Sequence, residues 1–290
     1  MTDYPYKKIV VTVDGSFHAS VAARYSYLFA QVYNSKLYIV TVITKDMSEK
    51  AEKTASYSVA KIIDEARAYG IDCEGVILKG DVIGALNKFV IENKIDILTS
   101  STRRHQKEGR YFVKSVTSKL MSGVPCTVIA IKISHPGRSL RSRRVLVPVI
   151  GDGYADRERA DIISALAERF NSSITVFHVN ELSPSGIKRL ERHEQEKLIE
   201  EGEKKIASFM KELRDRGIHA SEKIVSGCKV RNEIISEASH HKYDLIILGT
   251  TKRNIIKRAV SGNPVEEILR DTPCDVMLLH IKNGYSDTDK

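Results

Sequence analysis

The sequence repeats one unit twice. Five segments of the first half recur in the same order in the second half, and the offset between the copies drifts only from 136 to 148 residues. The matching pairs are KKIVVTVDGS (7–16) with RRVLVPVIGD (143–152), SKLYIVTVI (35–43) with SSITVFHVN (172–180), YGIDCEGVILKG (69–80) with RGIHASEKIVSG (216–227), KIDILTSS (94–101) with KYDLIILG (242–249), and VPCTVIAIKI (124–133) with TPCDVMLLHI (272–281). Such a repeat predicts two copies of one fold.

Each copy alternates short apolar runs with longer amphipathic stretches. Lys8–Val13 is a continuous β-branched run, as expected of a strand covered on both faces, and Ser16–Tyr33 carries apolar residues at helical spacing. Strands that alternate with helices of this length predict a parallel sheet with right-handed crossovers. We therefore expect an α/β fold of two tandem doubly wound domains, each a five-stranded parallel sheet with helices on both faces.

The predicted domains cover residues 1–134 and 144–282, with a linker at 135–143 and a polar tail at 283–290. The linker region is rich in Pro, Gly, Ser and Arg, which indicates an exposed connection. The longest predicted element is the second helix of the second copy, Ile187–Arg216, where Glu and Lys recur at i,i+4 spacing.

Composition excludes several classes of protein. No stretch approaches the ~18 continuous apolar residues of a membrane span. The start of the chain, MTDYPYKKIVVTVDG, has no apolar signal core, so we expect a cytoplasmic protein with no membrane partner. The four cysteines form no CxxC pair, which leaves zinc and thioredoxin-like sites without support. The net charge of +9 favours anionic partners or simply serves solubility.

A doubly wound sheet binds its ligand at the carboxyl ends of the strands, where the strand order reverses. In the second copy, Gly249 ends the fourth strand and Gly262 follows thirteen residues later. Asn263 before Pro264 predicts a helix start with Asn as N-cap and Pro at the first helical position. The helix N-terminus offers free N–H groups to an anion, so this turn is either a phosphate site or a capped helix beside an empty pocket.

This segment, DLIILGTTKRNIIKRAVSGNPVEEILRDTPCDVMLL, resembles the nucleotide loop of the universal stress protein family, whose fold is that of the adenine nucleotide alpha hydrolases. The family pattern is G-x2-G-x9-G followed by Ser or Thr, then a helix and a Pro-Cys strand entry. Lys252 replaces the second glycine, and Asn263 replaces the Ser or Thr. The Lys252 side chain either adds charge to a phosphate or fills the space that glycine leaves open.

The resemblance implies a nucleotide-binding sensor for AMP or ATP, with or without Mg²⁺, although some branches of the family bind nothing. In the second copy it implies phosphates at Gly249, Lys252, Gly262 and Asn263. Val149 and Ile150 would line the base side.

The first copy departs from the same pattern differently. Its register places Ser101, Arg104, Lys114 and Ser115 at the four loop positions, so every glycine is lost. It keeps Asp14 at the end of the first strand, where the resemblance implies an acid beside the nucleoside, whereas the second copy has Ile150 there. The loop is basic (Arg103, Arg104, His105, Lys107, Arg110 and Lys114), which indicates a solvated loop or an anion site. We do not expect nucleic acid as a partner, because no aromatic stacking pattern accompanies these charges.

No catalytic arrangement emerges from the remaining residues. The GxGxxG and GxxxxGK[ST] fingerprints are absent after the first strands, and the histidines show no metal spacing. We therefore expect no metal site and a binding protein rather than an enzyme. The alternative to a nucleotide sensor is a ligand-free interaction scaffold of the same fold.

The fifth strands carry a prediction about assembly. Cys126–Ile133 and Cys274–Ile281 are apolar and follow a proline. In the resembling family this strand is an edge that pairs with its mate in another domain, and such pairing removes an aggregation hazard. We expect a homodimer or an intramolecular pseudo-dimer through these strands.

Overall fold

The computed structural model describes residues 6–102, 115–134, 142–149, 155–250 and 264–282. The chain divides into two compact units, built mainly on residues 1–140 and 141–249. The predicted domain bounds at 134 and 144 fall near this division and stay a prediction. Most of the predicted linker and the whole predicted tail lie outside the described residues.

In the described part of the first copy, strands and helices alternate strictly. Four parallel pairings give the strand order β3-β2-β1-β4-β5, so the order reverses at β1, between β2 and β4. The elements are β1 (Lys8–Thr12), α1 (Phe17–Tyr33), β2 (Lys36–Ile43), α2 (Glu49–Ala68), β3 (Cys73–Lys79), α3 (Val82–Asn93), β4 (Ile97–Thr102), α4 (Val116–Gly123) and β5 (Thr127–Lys132).

The second copy repeats this order. Parallel pairings give β8-β7-β6-β9, and β10 follows beside β9, where the Asp275 N–H donates to the Asp244 carbonyl oxygen at 3.2 Å. The elements are β6 (Arg144–Pro148), α5 (Asp156–Phe170), β7 (Ser173–Glu181), α6 (Pro184–Arg189), α7 (Arg192–Asp215), β8 (Ala220–Gly227), α8 (Val230–His240), β9 (Leu245–Gly249), α9 (Pro264–Asp271) and β10 (Asp275–His280). The predicted fold class is confirmed.

Short polar side chains fix where the helices begin. Ser16, Ser48, Asp81 and Ser115 are extended N-cap residues, and each accepts a hydrogen bond from a backbone N–H of the first turn. The predicted start of α9 at Pro264 is confirmed. These caps set the direction in which each helix leaves the sheet edge.

The predicted helix Ile187–Arg216 is wrong in one respect, because the structure divides it into α6 and α7. Leu190 is extended, with φ −63° and ψ 109°. Glu191 then starts α7 through a capping box, in which the Glu194 carboxylate accepts from the Glu191 N–H at 3.1 Å. Capping at Glu191 starts a new helix at this point, so α6 does not continue into α7. The i,i+4 spacing of Glu and Lys does not indicate this break.

Candidate functional site

The first unit has a cavity at the carboxyl ends of β1, β2 and β4, where the strand order reverses. Its volume is ≈ 380 Å³. One part of the lining is apolar and the other carries hydroxyl groups. The apolar side chains are Val13, Val40, Val42, Met47, Val82, Leu86 and Val116, and the hydroxyl-bearing ones are Thr12, Thr41, Thr44, Ser100, Ser101, Thr102, Ser115 and Thr117, with Asp14 at the end of β1.

Asp14 is held at the cavity by the turn between β1 and α1. Its Oδ1 atom accepts a hydrogen bond from the Ser16 N–H at 2.9 Å, and the Ser16 hydroxyl in turn accepts from Ala19 N–H at 3.2 Å. Gly15 makes the turn possible at φ +81°, because a Cβ atom there would lie 3.0 Å from Thr54 Cγ2 on α2. Asp14 itself is exposed, so its carboxylate can reach a ligand in the cavity.

Ser115 lies at the N-terminus of α4 and lines the same cavity. Its hydroxyl oxygen accepts from Ser118 N–H at 3.1 Å, and its carbonyl oxygen accepts from the Ser118 hydroxyl at 3.0 Å. The Ser115 hydroxyl therefore caps the helix and keeps its own proton for an acceptor. Together with the first-turn N–H groups it places hydrogen-bond donors and a partial positive charge on this side of the cavity.

The structure thus brings together two of the predicted site residues, Asp14 and Ser115, around one cavity. Four others, Ile150, Lys252, Gly262 and Asn263, lie outside the described residues. The basic residues 103–114 of the first copy also lie outside them.

Val149 directly follows β6 and is buried. Its N–H donates to the Phe177 carbonyl oxygen at 2.9 Å, and its own carbonyl oxygen lies 2.8 Å from His178 Nδ1. His178 is buried as well, so this hydrogen bond gives the histidine a structural role.

Gly249 is the last residue of β9 and is exposed. A Cβ atom at this position would lie 3.0 Å from Nε and 3.2 Å from Cζ of Arg159 on α5. The glycine therefore leaves room for a guanidinium group, a requirement that the sequence pattern alone does not reveal.

Arg159 and Asp156 form a buried pair in the first turn of α5. The side chains are 10% and 6% exposed, and Arg159 Nη1 lies 3.6 Å from Asp156 Oδ1. The guanidinium lies 4.8 Å from the centroid of the Phe209 ring on α7, a cation–π contact. Burial raises the pKa of the Asp156 carboxyl, against the opposing effects of Arg159 and of a hydrogen bond from Ser208.

Sequence reasoning missed this pair. Both α1 and α5 end on an asparagine in the left-handed conformation, Asn34 and Asn171, an offset of 137 residues. With that offset, Asp156 and Arg159 correspond to Ala19 and Ala22, which are buried alanines. The sequence does contain a signal for the pair, because Asp156 and Arg159 lie on the same face of α5 as the apolar residues Ile162, Ile163 and Leu166.

The described ranges contain neither a cluster of metal-binding side chains nor a membrane-spanning helix. No group of three or more His, Cys, Asp or Glu side chains there is placed to hold a metal ion. No helix within the same ranges is both long enough and apolar enough to cross a membrane.

Comparison with known proteins bears on both copies. The family model described as "Universal stress protein family" matches residues 5–132 and 141–280. A universal stress protein of Methanocaldococcus jannaschii is 25% identical over 140 residues, which cover 47% of this chain and 81% of that protein. A universal stress protein of Thermus aquaticus is 27% identical over 136 residues, which cover 44% of this chain and 99% of that protein.

Solved structures share the fold over nearly the whole chain. A universal stress protein from Archaeoglobus fulgidus superposes with a TM-score of 0.63 at 16% identity, covering 97% of each chain. A putative universal stress protein from Pseudomonas aeruginosa gives a TM-score of 0.66 at 17% identity, covering 94% of this chain and 93% of that one. With two matched regions that together span most of its length, the chain belongs to the universal stress protein family.

Proposed function

We propose that this chain binds an adenine nucleotide, AMP or ATP, and acts as a stress-response sensor or regulator rather than as a catalyst. The observation that carries the proposal is the cavity of the first unit. Its volume of ≈ 380 Å³ lies within the range of roughly 300–1,000 Å³ found for small-molecule sites. Its position at the reversal of strand order is where doubly wound sheets bind nucleotides.

The lining of the cavity suits the three parts of a nucleotide. The apolar side chains around Val40 and Leu86 suit a base, and the Asp14 carboxylate can accept hydrogen bonds from ribose hydroxyls or an adenine amino group. The N-terminus of α4, with the Ser115 hydroxyl, suits a phosphate. The Asp14 carboxylate would therefore bind the nucleoside end of the ligand, and the N-terminus of α4 would bind its phosphate end.

The glycine spacing favours the second domain as the main site, with phosphates at Gly249, Lys252, Gly262 and Asn263. This assignment stays a prediction, because most of that loop lies outside the described residues. Mg²⁺ would accompany ATP through the phosphate oxygens, so the ATP titration below is made with and without Mg²⁺.

Calorimetric titration of the purified full chain with AMP, ATP and adenosine tests the proposal. Asp14→Asn keeps the turn to Ser16 but removes the charge, so we expect roughly tenfold weaker binding or more at the first site. Asp64→Asn, which makes the same charge change at an exposed position of α2, should have no effect. Gly262→Val addresses the second site alone.

The outcome decides between the two functions. Binding that is weakened by Asp14→Asn or by Gly262→Val identifies which domain holds the nucleotide. If millimolar nucleotide produces no binding heat and no shift in melting temperature, the proposal is rejected in favour of the interaction scaffold. Mass spectrometry of small molecules released from the purified protein gives an independent answer.

We also propose that the protein is cytoplasmic and that its fifth strands pair, within one chain or between two. The physical reason is the hazard of an uncovered apolar edge. Light scattering on the full chain at several concentrations distinguishes a monomeric pseudo-dimer from a homodimer.

A further inference from the structure

The third strand of each copy lies at the outer end of its own strand order. Among the described residues, β3 pairs with β2 alone and β8 pairs with β7 alone. An edge strand presents unpaired backbone N–H and C=O groups to other strands, and proteins protect such an edge with an inward-pointing charge or with a covering element. β8 has both of these features, whereas the described part of β3 lacks the equivalent of either.

The inward-pointing charge of β8 is Lys223. Its Nζ atom lies 2.7 Å from Oε2 of Glu237 on α8, and the Glu237 side chain is only 9% exposed. The repeat places Val76 at the position of Lys223, and the starts of α3 and α8 place Phe89 at the position of Glu237. Phe89 packs edge-on against Tyr38 with ring centroids 5.6 Å apart. The first copy is therefore apolar where the second carries an ion pair.

The covering element of β8 is helix α7. A Cβ atom at Gly202 of α7 would lie 2.6 Å from Cγ2 of Ile224 on β8, so the helix backbone lies directly against this partly buried side chain. The repeat places Ile77 of β3 at the position of Ile224, and Ile77 is 50% exposed. The first copy thus leaves open an isoleucine that α7 covers in the second copy.

Hydrogen bonds to β2 show which backbone groups of β3 form its free edge. The Leu37 N–H of β2 donates to the Asp72 carbonyl oxygen at 2.9 Å, and the Gly80 N–H donates to a carbonyl oxygen of β2 at 3.0 Å. The register between the two strands is constant, so the even-numbered residues direct their backbone groups at β2. The odd-numbered residues direct theirs away from β2, and these are Cys73, Gly75, Ile77 and Lys79.

Both faces of β3 reach solvent at this edge. A Cβ atom at Gly75 would lie 2.5 Å from Cδ1 of Ile63 on α2, so the odd-numbered residues lie on the α2 face. Gly75, Ile77 and Lys79 are exposed on that face, and Glu74 is exposed on the opposite face. Another strand can therefore approach the outward backbone groups of β3.

We propose that the β3 edge pairs antiparallel with the β3 edge of a second copy of this chain. Complete overlap of the two strands places a two-fold axis at Val76, so the interface closes on itself with two copies. The same overlap sets Ile77 opposite Gly75, where Ile63 of α2 already lies against the glycine. The exposed isoleucine of each copy then becomes part of an apolar contact.

The charge order of β3 favours the antiparallel direction. Glu74 lies near the start of the strand and Lys79 is its last residue. Antiparallel pairing brings the acidic end of each strand beside the basic end of the other, whereas parallel pairing would bring like charges together. The strand is therefore complementary to itself in charge as well as in its backbone groups.

Ile77→Pro tests the proposal in the full chain. The Ile77 N–H points away from β2, so proline removes a donor from the free edge while the hydrogen bonds to β2 remain. Analytical ultracentrifugation over a range of protein concentrations should give the wild type about twice the mass of the variant at high concentration. Circular dichroism and the melting temperature check that the variant keeps its fold.

A pair of lysine variants separates this edge from general surface hydrophobicity. Ile77→Lys keeps the backbone donor but places a charge where the second strand would lie, so the dissociation constant of the dimer should rise roughly tenfold or more. Ile199→Lys makes the same change on α7 of the second unit, at an isoleucine that is 38% exposed, and should leave the dissociation constant unchanged.

Amide hydrogen exchange locates the contact without any substitution. Exchange at the odd-numbered amides of β3 should slow as the protein concentration rises, whereas the even-numbered amides, which point at β2, should keep their rates. If Ile77→Pro does not fold, Ile77→Lys and hydrogen exchange still decide the question.

Two results would overturn the proposal. If the wild type and Ile77→Pro have equal mass at every concentration, a second copy does not bind this edge, and the edge is left to a strand of another protein. If exchange at the odd-numbered amides does not depend on concentration, any association of the chain takes place elsewhere, as at the fifth strands. Neither result bears on nucleotide binding, which calorimetry measures separately.

Discussion

In the first copy two buried alanines, Ala19 and Ala22, lie where the second copy carries Asp156 and Arg159. Helix α1 packs closely on β1, β2 and β4, whereas the close backbone packing of α5 is against α7. Small residues let a helix approach a sheet, and a buried arginine with its aspartate partner requires more space. The same strand order therefore supports a neutral helix–sheet contact in one copy and a buried ion pair in the other.

The largest expected effect comes from giving the second copy the residue of the first. Asp156→Ala leaves Arg159 buried without its counter-charge, so we expect the free energy of unfolding to fall by about 3–5 kcal/mol. The double variant with Arg159→Ala should cost less than the sum of the two single changes. Urea denaturation measures all three.

An exposed ion pair provides the control for this prediction. Glu49 and Lys53 are spaced i,i+4 on α2 and are 81% and 76% exposed, so Glu49→Ala should cost no more than about 0.5 kcal/mol. If Asp156→Ala were equally mild, the pair would not be a buried one and the difference between the copies would be superficial.

The turns at the two ends of the sheet give the next largest effect. Gly15→Ala combines a left-handed φ with a 3.0 Å contact to Thr54, and should cost about 2 kcal/mol. Gly70 and Gly217, at φ +72° and +76°, have open space around the Cβ position, so alanine there should cost about 1 kcal/mol in each copy alike. Equal losses at all three positions would show that α2 can yield at Thr54.

Capping gives a smaller effect with a functional consequence. Ser115→Ala removes the hydroxyl that accepts from Ser118 N–H, which should cost about 1 kcal/mol of stability. The same change removes a donor from the cavity, so AMP affinity should fall while adenosine affinity is kept. Ser48→Ala, which removes an equivalent cap from α2, is the matched control and should not change AMP affinity.

The fold could be predicted from the sequence because it depends on features that lie within short sequence segments. Each of these features determines the backbone structure of only a few neighbouring residues. They are the repeated apolar runs, the caps at Ser16 and Ser115, and the helix start at Pro264. The buried pair depends instead on the approach of α5 to Gly249, two segments about ninety residues apart. Local patterns assigned Gly249 to a ligand, and only the packed structure shows that a guanidinium lies against it.

The smallest expected difference between the copies is one of pH dependence, because the second copy carries the buried Asp156 carboxyl where the first has the buried Ala19. Burial raises the pKa of Asp156 in the folded state above its ordinary value of 3.8. The folded chain therefore binds more protons than the unfolded chain in the interval above pH 3.8, and stability from this group is lost as the pH rises through the folded pKa. Subtracting the unfolding free energies of the Asp156→Ala/Arg159→Ala variant, measured at each pH, isolates this contribution from the other carboxyls. A difference that stayed flat across that interval would mean that Arg159 fully offsets the burial of Asp156. The Asp156 carboxyl would then bind protons equally in the folded and the unfolded chain.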